Sequence, residues 1–374
     1  MRKNSFDMTG EDNPFLSGLS EYLSSDDLEQ RLTYSPLAGI DVSKLSAQQK
    51  LDLLDLMQEQ LFEPTSTALG IVTSAYRLIR RGYLPRDPCR AEVRTKTMRI
   101  AGFAGKELSK NFWFAKYAKG MRILGETGTG KSYELMRGLR LLPQVIVHQE
   151  NKSAGWTHLV QIVWLYVPMS HDGSLGGLLL GILCAIDEAT GCTSYSQNKS
   201  LIGLSNEKLA VRIGIVLRNH GVGVLVIDEI QSRNFSGGAH GGLAATFFLR
   251  LLNFGIPIIL IGNPFGMSAL DKFSQDMRRL GSGGSFDMRP LLETDFDWTD
   301  CLVPALMRYN VMPEPGIAGD PEGKSIFKYS GGFRDYACRI RAASQRLALD
   351  LGASAVTLEH MDAAFHGSDF DEKE

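Results

Sequence analysis

The sequence predicts an α/β fold in which a parallel sheet lies between layers of helices, and three observations carry that prediction. Between residues 93 and 290, short apolar runs alternate with amphipathic helical segments, the rhythm of parallel strands joined by helical crossovers. A glycine-rich turn, Gly125-Glu126-Thr127-Gly128-Thr129-Gly130-Lys131-Ser132, separates an apolar run from a helical segment. A further apolar run ends in two adjacent acids, Asp228 and Glu229.

Five stretches, 121–124, 145–147, 159–167, 222–227 and 256–261, read as buried strands because they are short, apolar and rich in β-branched residues. Helical segments at 132–142, 175–188, 206–219 and 243–254 fall between or after them. Residues 1–92 form a helical N-terminal extension. There Ser24-Ser25-Asp26-Asp27 before Leu28 suits a helix start. Leu45, Leu51, Leu54, Met57 and Leu61 then recur at helical spacing up to Pro64, and a second helix over 67–80 is broken by Gly82, Pro85 and Pro88. These stripes serve as helix core, as a docking groove, or as both. After residue 290 the chain is helical again, with 331–351 the clearest element, and 291–374 reads as a helical lid closing on the acidic tail GSDFDEKE (367–374).

Composition excludes several classes. Apolar residues are 44% and charged residues 22% of 374, and the mean hydropathy is -0.08, which suits an ordinary soluble protein. No apolar run reaches the length of a membrane span, and the opening residues lack the apolar stretch of a secretory signal. The expected location is the cytoplasm, with no membrane partner. The five cysteines are scattered without a CxxC pair, so neither a disulfide framework nor a zinc site is indicated. A net charge of -2 gives a monomer little bulk attraction for nucleic acid. Any grip on DNA must come from a local basic face repeated over many subunits.

The glycine turn fits G-x-x-x-x-G-K-[ST] at every position. Its glycines let backbone N–H groups point inward around phosphates, with the following helix N-terminus adding its dipole. Lys131 would reach the β- and γ-phosphates of ATP, and the Ser132 hydroxyl would ligate Mg²⁺. Two acids at the end of a buried strand are costly without a cation or a proton to move. Asp228 would hold Mg²⁺ mainly through water, and Glu229 would act as general base on the attacking water. Asn263, after the strand at 256–261, is placed to orient that water. Arg278 and Arg279 precede a glycine-rich turn and offer a finger to a neighbour's γ-phosphate, or else a solvated basic turn. Arg334, at a helix start in the lid, reaches back to the phosphates or forms a surface salt bridge. Together these residues describe an AAA+ P-loop ATPase that hydrolyses ATP.

The chain also resembles the TnsC family of AAA+ regulators of bacterial cut-and-paste DNA transposition. The similar stretches include DNPFLSGL (12–19), IRRGYLPRDP (79–88), PQVIVHQE (143–150), HDGSL (171–175), GVLVIDEIQSR (223–233), GIPIILIGNP (255–264) and MRRLGSGGSF (277–286). The resemblance implies a homo-oligomeric ring or helical filament around duplex DNA that links a target-selector protein to transposase subunits. In that scheme ATP favours assembly and hydrolysis permits disassembly, and the 1–92 extension is the candidate docking region for the selector. Asn263 falls at the family's sensor-1 position, Arg278/Arg279 in its finger region and Arg334 in its sensor-2 region. The part of the fold carrying Lys199, Lys208 and Arg212 lies toward the pore in such proteins. Those residues are therefore the candidate phosphate contacts, with a solvated charged face as the alternative. A helicase loader or replication initiator would share every ATP-site residue but leaves the DNPF and GYLPRDP segments unexplained.

Overall fold

Chain order and spatial order differ in the central sheet, whose parallel strands are joined by crossovers. The computed structural model describes residues 12–19, 22–101, 118–230, 239–271, 278–316 and 320–367. Its strands are β1 (Gly120–Gly125), β2 (Val145–His148), β3 (Leu159–Ile162), β4 (Trp164–Pro168), β5 (Val224–Ile230), β6 (Ile258–Gly262) and β7 (Gly284–Met288). Five form one sheet in the order β4-β5-β6-β1-β7, and β2 pairs with β3 apart from it. The pairs β1–β6, β4–β5 and β5–β6 are parallel. Every residue of β6 is buried, as is every residue of β5 except Glu229. That burial is why these strands read as unbroken apolar runs rather than alternating ones.

Two expectations about the sheet are corrected. The run at 145–147 is not one of its five strands: β2 pairs antiparallel with β3, and Val147 is 56% exposed. The run at 159–167 divides at Val163 into β3 and β4, each serving a different sheet. The fifth place belongs to β7, an edge strand of sequence Gly-Ser-Phe-Asp-Met with alternating burial. It lacked an apolar signal because an edge strand needs only one covered face.

Contacts divide the chain into two compact units. The first comprises Met1–Tyr22, Ile71–Gly125 and Leu135–Asp287, and the second Leu23–Gly70, Glu126–Glu134 and Met288–Glu374. Residues 1–92 are thus shared between them, and the 92/93 boundary falls inside a helix, Ala91–Ala101.

In the first unit, the helix Leu175–Thr190 starts at a Ser174 cap and stops at Gly191, whose φ of 67° closes it in the left-handed region. Its Leu178, Leu179, Ile182, Leu183 and Ile186 are fully buried in the core beside Leu225 and Ile227 of β5. The helix Asn206–Asn219 has the bounds its periodicity predicts. It approaches so closely at Gly214 that a Cβ there would lie 2.7 Å from the Phe254 ring. The helix expected over 243–254 spans Ala239–Asn253.

The second unit packs the helix Ala47–Gln60, opened by a Ser46/Gln49 capping box, against Arg334–Asp350. Leu54, Met57, Leu306, Tyr309 and Ile326 are buried in its core. Among the described residues, no helix is long and apolar enough to cross a membrane.

Candidate nucleotide-binding site

In the first unit, three strands end level with one another. Leu124 of β1 is opposite Gly262 of β6, and Gly262 is opposite Ile230 of β5. From these ends the chain runs into the glycine turn after Gly125 and into Asn263 after Gly262. The carboxyl edge of a parallel sheet is where open α/β folds place ligands.

The end of β5 is not regular. Between Ile227 and Ile230 the pairing with β6 shifts register, leaving Asp228 and Glu229 unpaired with that neighbour, the mark of a bulge. Glu229 has φ 59° and is the one non-glycine residue with positive φ among the described residues. That conformation costs an L-residue about 1–2 kcal/mol. A short contact holds it: the Glu229 N–H donates to Asp228 Oδ1 at 2.6 Å. On the other side of the carboxylate, the Tyr166 hydroxyl of β4 donates to Asp228 Oδ2 at 2.7 Å. Burial first, and then the Asp228 carboxylate, push the Tyr166 hydroxyl above its ordinary value, so it stays a proton donor. Asp228 is 2% exposed, whereas Glu229 is exposed. The bulge therefore fixes one acid inside and presents the other.

Asn263 is placed by the same bulge. Its N–H donates to the Ile230 carbonyl at 3.2 Å, and only glycine fits before it, because a Cβ on Gly262 would meet that carbonyl oxygen at 2.3 Å. The Asn263 side chain caps the helix Pro264–Asp271 by accepting the Gly266 N–H on Oδ1 at 2.6 Å. With the oxygen so engaged, the end left for chemistry is the Nδ2 donor.

Arg279 donates to Asn253 Oδ1 at 3.0 Å and is half-buried. Arg278 is exposed. Lys199 and Lys208 are exposed and Arg212 is half-buried, on or beside the helix Asn206–Asn219. Arg218, in the same basic stretch, is instead buried and donates to the Phe254 carbonyl. Residues 231–238, between β5 and the helix Ala239–Asn253, lie outside the described residues.

The glycine turn belongs to the second unit. Gly128 and Gly130 have φ of 85° and 92°, the left-handed values that let successive N–H groups face one concavity. Glu126 closes the turn: its carbonyl accepts from Thr129 Oγ1 at 2.8 Å and from Lys131 Nζ at 2.6 Å. The Lys131 ammonium is thereby drawn over the loop it is expected to serve. Ser132 follows, half-buried, in the first turn of the helix Lys131–Leu139.

Arg334 is buried beside that turn, which replaces the surface salt bridge offered as its alternative with a buried pair. Its Nη1 lies 3.3 Å from Glu134 Oε1, and its guanidinium sits 4.7 Å from the Phe62 ring centre and 5.8 Å from that of Tyr133. Thr65 donates to the same Glu134 oxygen at 3.5 Å. A cavity of about 40 Å³ is bounded by Thr65, Thr129, Glu134, Arg289 and Arg334 among others. Burial pushes the Glu134 carboxyl up to about 7, against the opposing pull of Arg334.

Tyr166 and Glu134 were not among the residues singled out from sequence. A phenol in an otherwise apolar strand and an acid three residues after the P-loop lysine were the available signals. Their partners, Asp228 and Arg334, lie far along the chain, where no local pattern reaches.

Residues 115–270 match a family model described as an AAA domain. This is the fold of the AAA+ P-loop ATPases. Several solved structures resemble the chain more distantly. The Aeropyrum pernix ORC1 protein, in complex with DNA, is 20% identical at a TM-score of 0.46, over 72% of this chain and 64% of that one. Cdc6p from Pyrobaculum aerophilum is 15% identical at 0.45, over 67% and 62%. The Aeropyrum pernix ORC2 protein in its ADP form is 12% identical at 0.42, over 76% and 69%. The match thus spans less than two thirds of the ORC1 and Cdc6p chains. No curated protein sequence matches.

Proposed function

We propose that this chain is a Mg²⁺-dependent ATPase that assembles on duplex DNA and acts as an ATP-controlled regulator of DNA transposition. The observation that carries the ATPase part is the bulge at the end of β5, which buries Asp228 between two donors and presents Glu229.

The residue set suits ATP and Mg²⁺. Among the described residues, no group of three or more His, Cys, Asp or Glu side chains could hold a metal ion, so a cation here would take few protein ligands. That is the habit of Mg²⁺ bound through phosphates and water. Ser132 would supply a hard oxygen ligand and Asp228 would hold the cation mainly through water, and a bound cation would neutralise charge on the phosphates. The N–H groups of residues 125–132 and the Lys131 ammonium bind the phosphates. Glu229 takes a proton from water as that water's oxygen bonds to the γ-phosphorus and the bond to the bridging oxygen breaks. Asn263 Nδ2 donates toward the water or the γ-phosphate. Arg334 is the in-chain cation of the lid, and the finger comes from Arg278 or Arg279 of a neighbouring subunit. The exposed position of Arg278 favours it, since Arg279 is held by Asn253.

Transposition is supported by the TnsC-like segments outside the ATP chemistry, above all DNPFLSGL and IRRGYLPRDP. The proposed partners are duplex DNA, a target selector, transposase subunits and further copies of this chain. A replication initiator or helicase loader is the second reading. The likeness to the ORC and Cdc6p structures, at these identities and TM-scores, is one of fold.

The deciding experiment uses Glu229→Gln and Lys131→Ala. Glu229→Gln is expected to keep ATP and to be retained on duplex DNA with it, while turnover falls about 10²-fold, the scale of general-base loss. Lys131→Ala is expected to lose nucleotide binding. Wild-type hydrolysis by Glu229→Gln would overturn the assignment of the base. Failure of the ATP-loaded variant to capture a transposase encoded beside it would remove the transposition reading.

A further inference from the structure

Two buried arginine–carboxylate pairs lie in the second unit, and they are built differently. Arg341 is 1% exposed and fastened on three sides. Its Nη1 lies 2.5 Å from Glu322 Oε1, its Nε donates to the Leu306 carbonyl at 3.3 Å, and its Nη2 reaches Asn310 Oδ1 at 3.5 Å. Arg334 is 8% exposed and has one hydrogen-bond acceptor among the described residues, Glu134 Oε1 at 3.3 Å. Thr65 shares that oxygen at 3.5 Å. Both distances exceed the usual range of about 2.7–3.2 Å. The second carboxylate oxygen, Glu134 Oε2, is buried without a partner, so the pair lacks the two-pronged geometry of a strong arginine–carboxylate contact. Glu63, the other acid near Arg334, is paired with Arg308 at 3.1 Å.

The stem of Arg334 lies on the phosphate loop itself. A Cβ placed on Gly130 would be 3.8 Å from Arg334 Cδ and 3.6 Å from Glu134 Oε1. The next residue, Asp335, donates its N–H to the Gly128 carbonyl at 3.4 Å. The guanidinium rests on the Phe62 ring. The cavity of about 40 Å³ beside the pair is also bounded by Thr129 of the loop. A cation tied this loosely, with its stem on the loop, is poised to change acceptors. A phosphate offers several charged oxygens in the forked arrangement that Glu134 does not supply.

We propose that Glu134 is a positioning residue for Arg334, holding it off the phosphates while the loop is empty and yielding it to the γ-phosphate of ATP. The inference rests on the ATPase reading above, with Arg334 as the cation of the lid. ATP then binds at the expense of the Glu134 contact, whereas ADP, without that phosphate, leaves the contact intact. Glu134 therefore restrains the preference of the site for ATP over ADP.

The test is the ratio of the ADP to the ATP dissociation constant, measured by calorimetry with Mg²⁺ at pH 8. The parent protein is the full chain carrying Glu229→Gln, which stops turnover. Glu134→Gln keeps the shape of the side chain and removes the charge that holds Arg334. It is expected to raise the ratio about tenfold, the scale of one hydrogen bond to a charged group. Loss of a negative charge beside the loop would by itself favour any phosphate. The same substitution is therefore made in an Arg334→Met background, where the ratio is expected to stay unchanged. Phe62→Leu loosens the guanidinium and leaves the carboxylate in place, so it decides the matter if Glu134→Gln does not fold. It is expected to raise the ratio about two- to fivefold, the scale of a cation–π contact. The proposal is overturned if the ratio is unchanged or falls in the folded variant, or if Glu134→Gln raises it equally in the Arg334→Met background. A parent protein that binds both nucleotides while these ratios fail removes this inference alone. One that binds neither nucleotide removes the ATPase reading with it.

Discussion

Tyr166→Phe removes one hydroxyl and nothing else from the buried carboxylate of Asp228. In the absence of ligand Asp228 accepts from Tyr166 Oη at 2.7 Å and from the Glu229 N–H at 2.6 Å, and at 2% exposure it has little water to replace a lost donor. A hydrogen bond to a charged group contributes about 1.5–3 kcal/mol. Because Tyr166 itself is only half-buried, the low end applies, about 1.5 kcal/mol. For a unit of this size that lowers the melting temperature by about 3–6 °C. The measurement is thermal unfolding of wild type and variant, without ligand and with saturating MgATP in the Glu229→Gln background, which prevents turnover. A cation at Asp228 takes over the role of the missing donor, so the deficit should shrink when MgATP is present. No deficit without ligand would refute the view that Asp228 depends on Tyr166. A deficit of equal size in both conditions would refute Asp228 as the carboxylate that meets the cation.

Arg278→Ala and Arg279→Ala, each mixed with Glu229→Gln protein, test the shared site. Arg278→Ala mixtures are expected to recover part of the ATPase rate, whereas recovery with Arg279→Ala alone would reassign the finger. Lys199→Ala combined with Lys208→Ala is expected to leave ATP binding intact and abolish ATP-dependent DNA retention. Each lost phosphate contact should reduce the slope of log K against log salt by about 0.9 per subunit, and an unchanged slope would move the DNA surface elsewhere. Glu134 gives a pH signature. Its folded value is raised from 4.5 to about 7, so the folded state binds the extra proton. The stability this provides is complete below about pH 4.5 and is lost as pH rises through 7. Urea midpoints of wild type should therefore fall between pH 5 and pH 8 more steeply than those of Glu134→Gln, and superimposed profiles would refute the assignment.

What the sequence made legible was whatever depends on neighbours along the chain. The P-loop residues declare themselves because phosphate binding needs glycines, a lysine and a hydroxyl at fixed offsets. The helix Asn206–Asn219 does so because Leu209, Ile213 and Val216 recur on one face, the first two buried and the third half-buried. What remained hidden depends on distant partners or on edges. Strand β7 carries a polar sequence because an edge position asks little of it, and β2 looks central only until its exposed Val147 is seen. The Asp228 position was readable, but its Tyr166 support and the register shift at Glu229 were not. A bulge is set by the pairing of β5 with β6, not by the residues of β5 alone. Arg334 was expected at the phosphates or on the surface. Its burial against Glu134 arises where the lid helix packs within its own unit, a contact that periodicity cannot name.

The left-handed backbone at Glu229 has an evolutionary edge. The position is one that unaided folding would give to glycine or asparagine, and the carboxylate occupies it at a cost of about 1–2 kcal/mol. Selection for robustness alone would drift toward Glu229→Gly or Glu229→Asn, each of which relaxes the bend and, under the proposed mechanism, leaves the attacking water without a base. A library screened only for heat resistance should therefore become enriched in inactive proteins at this one codon.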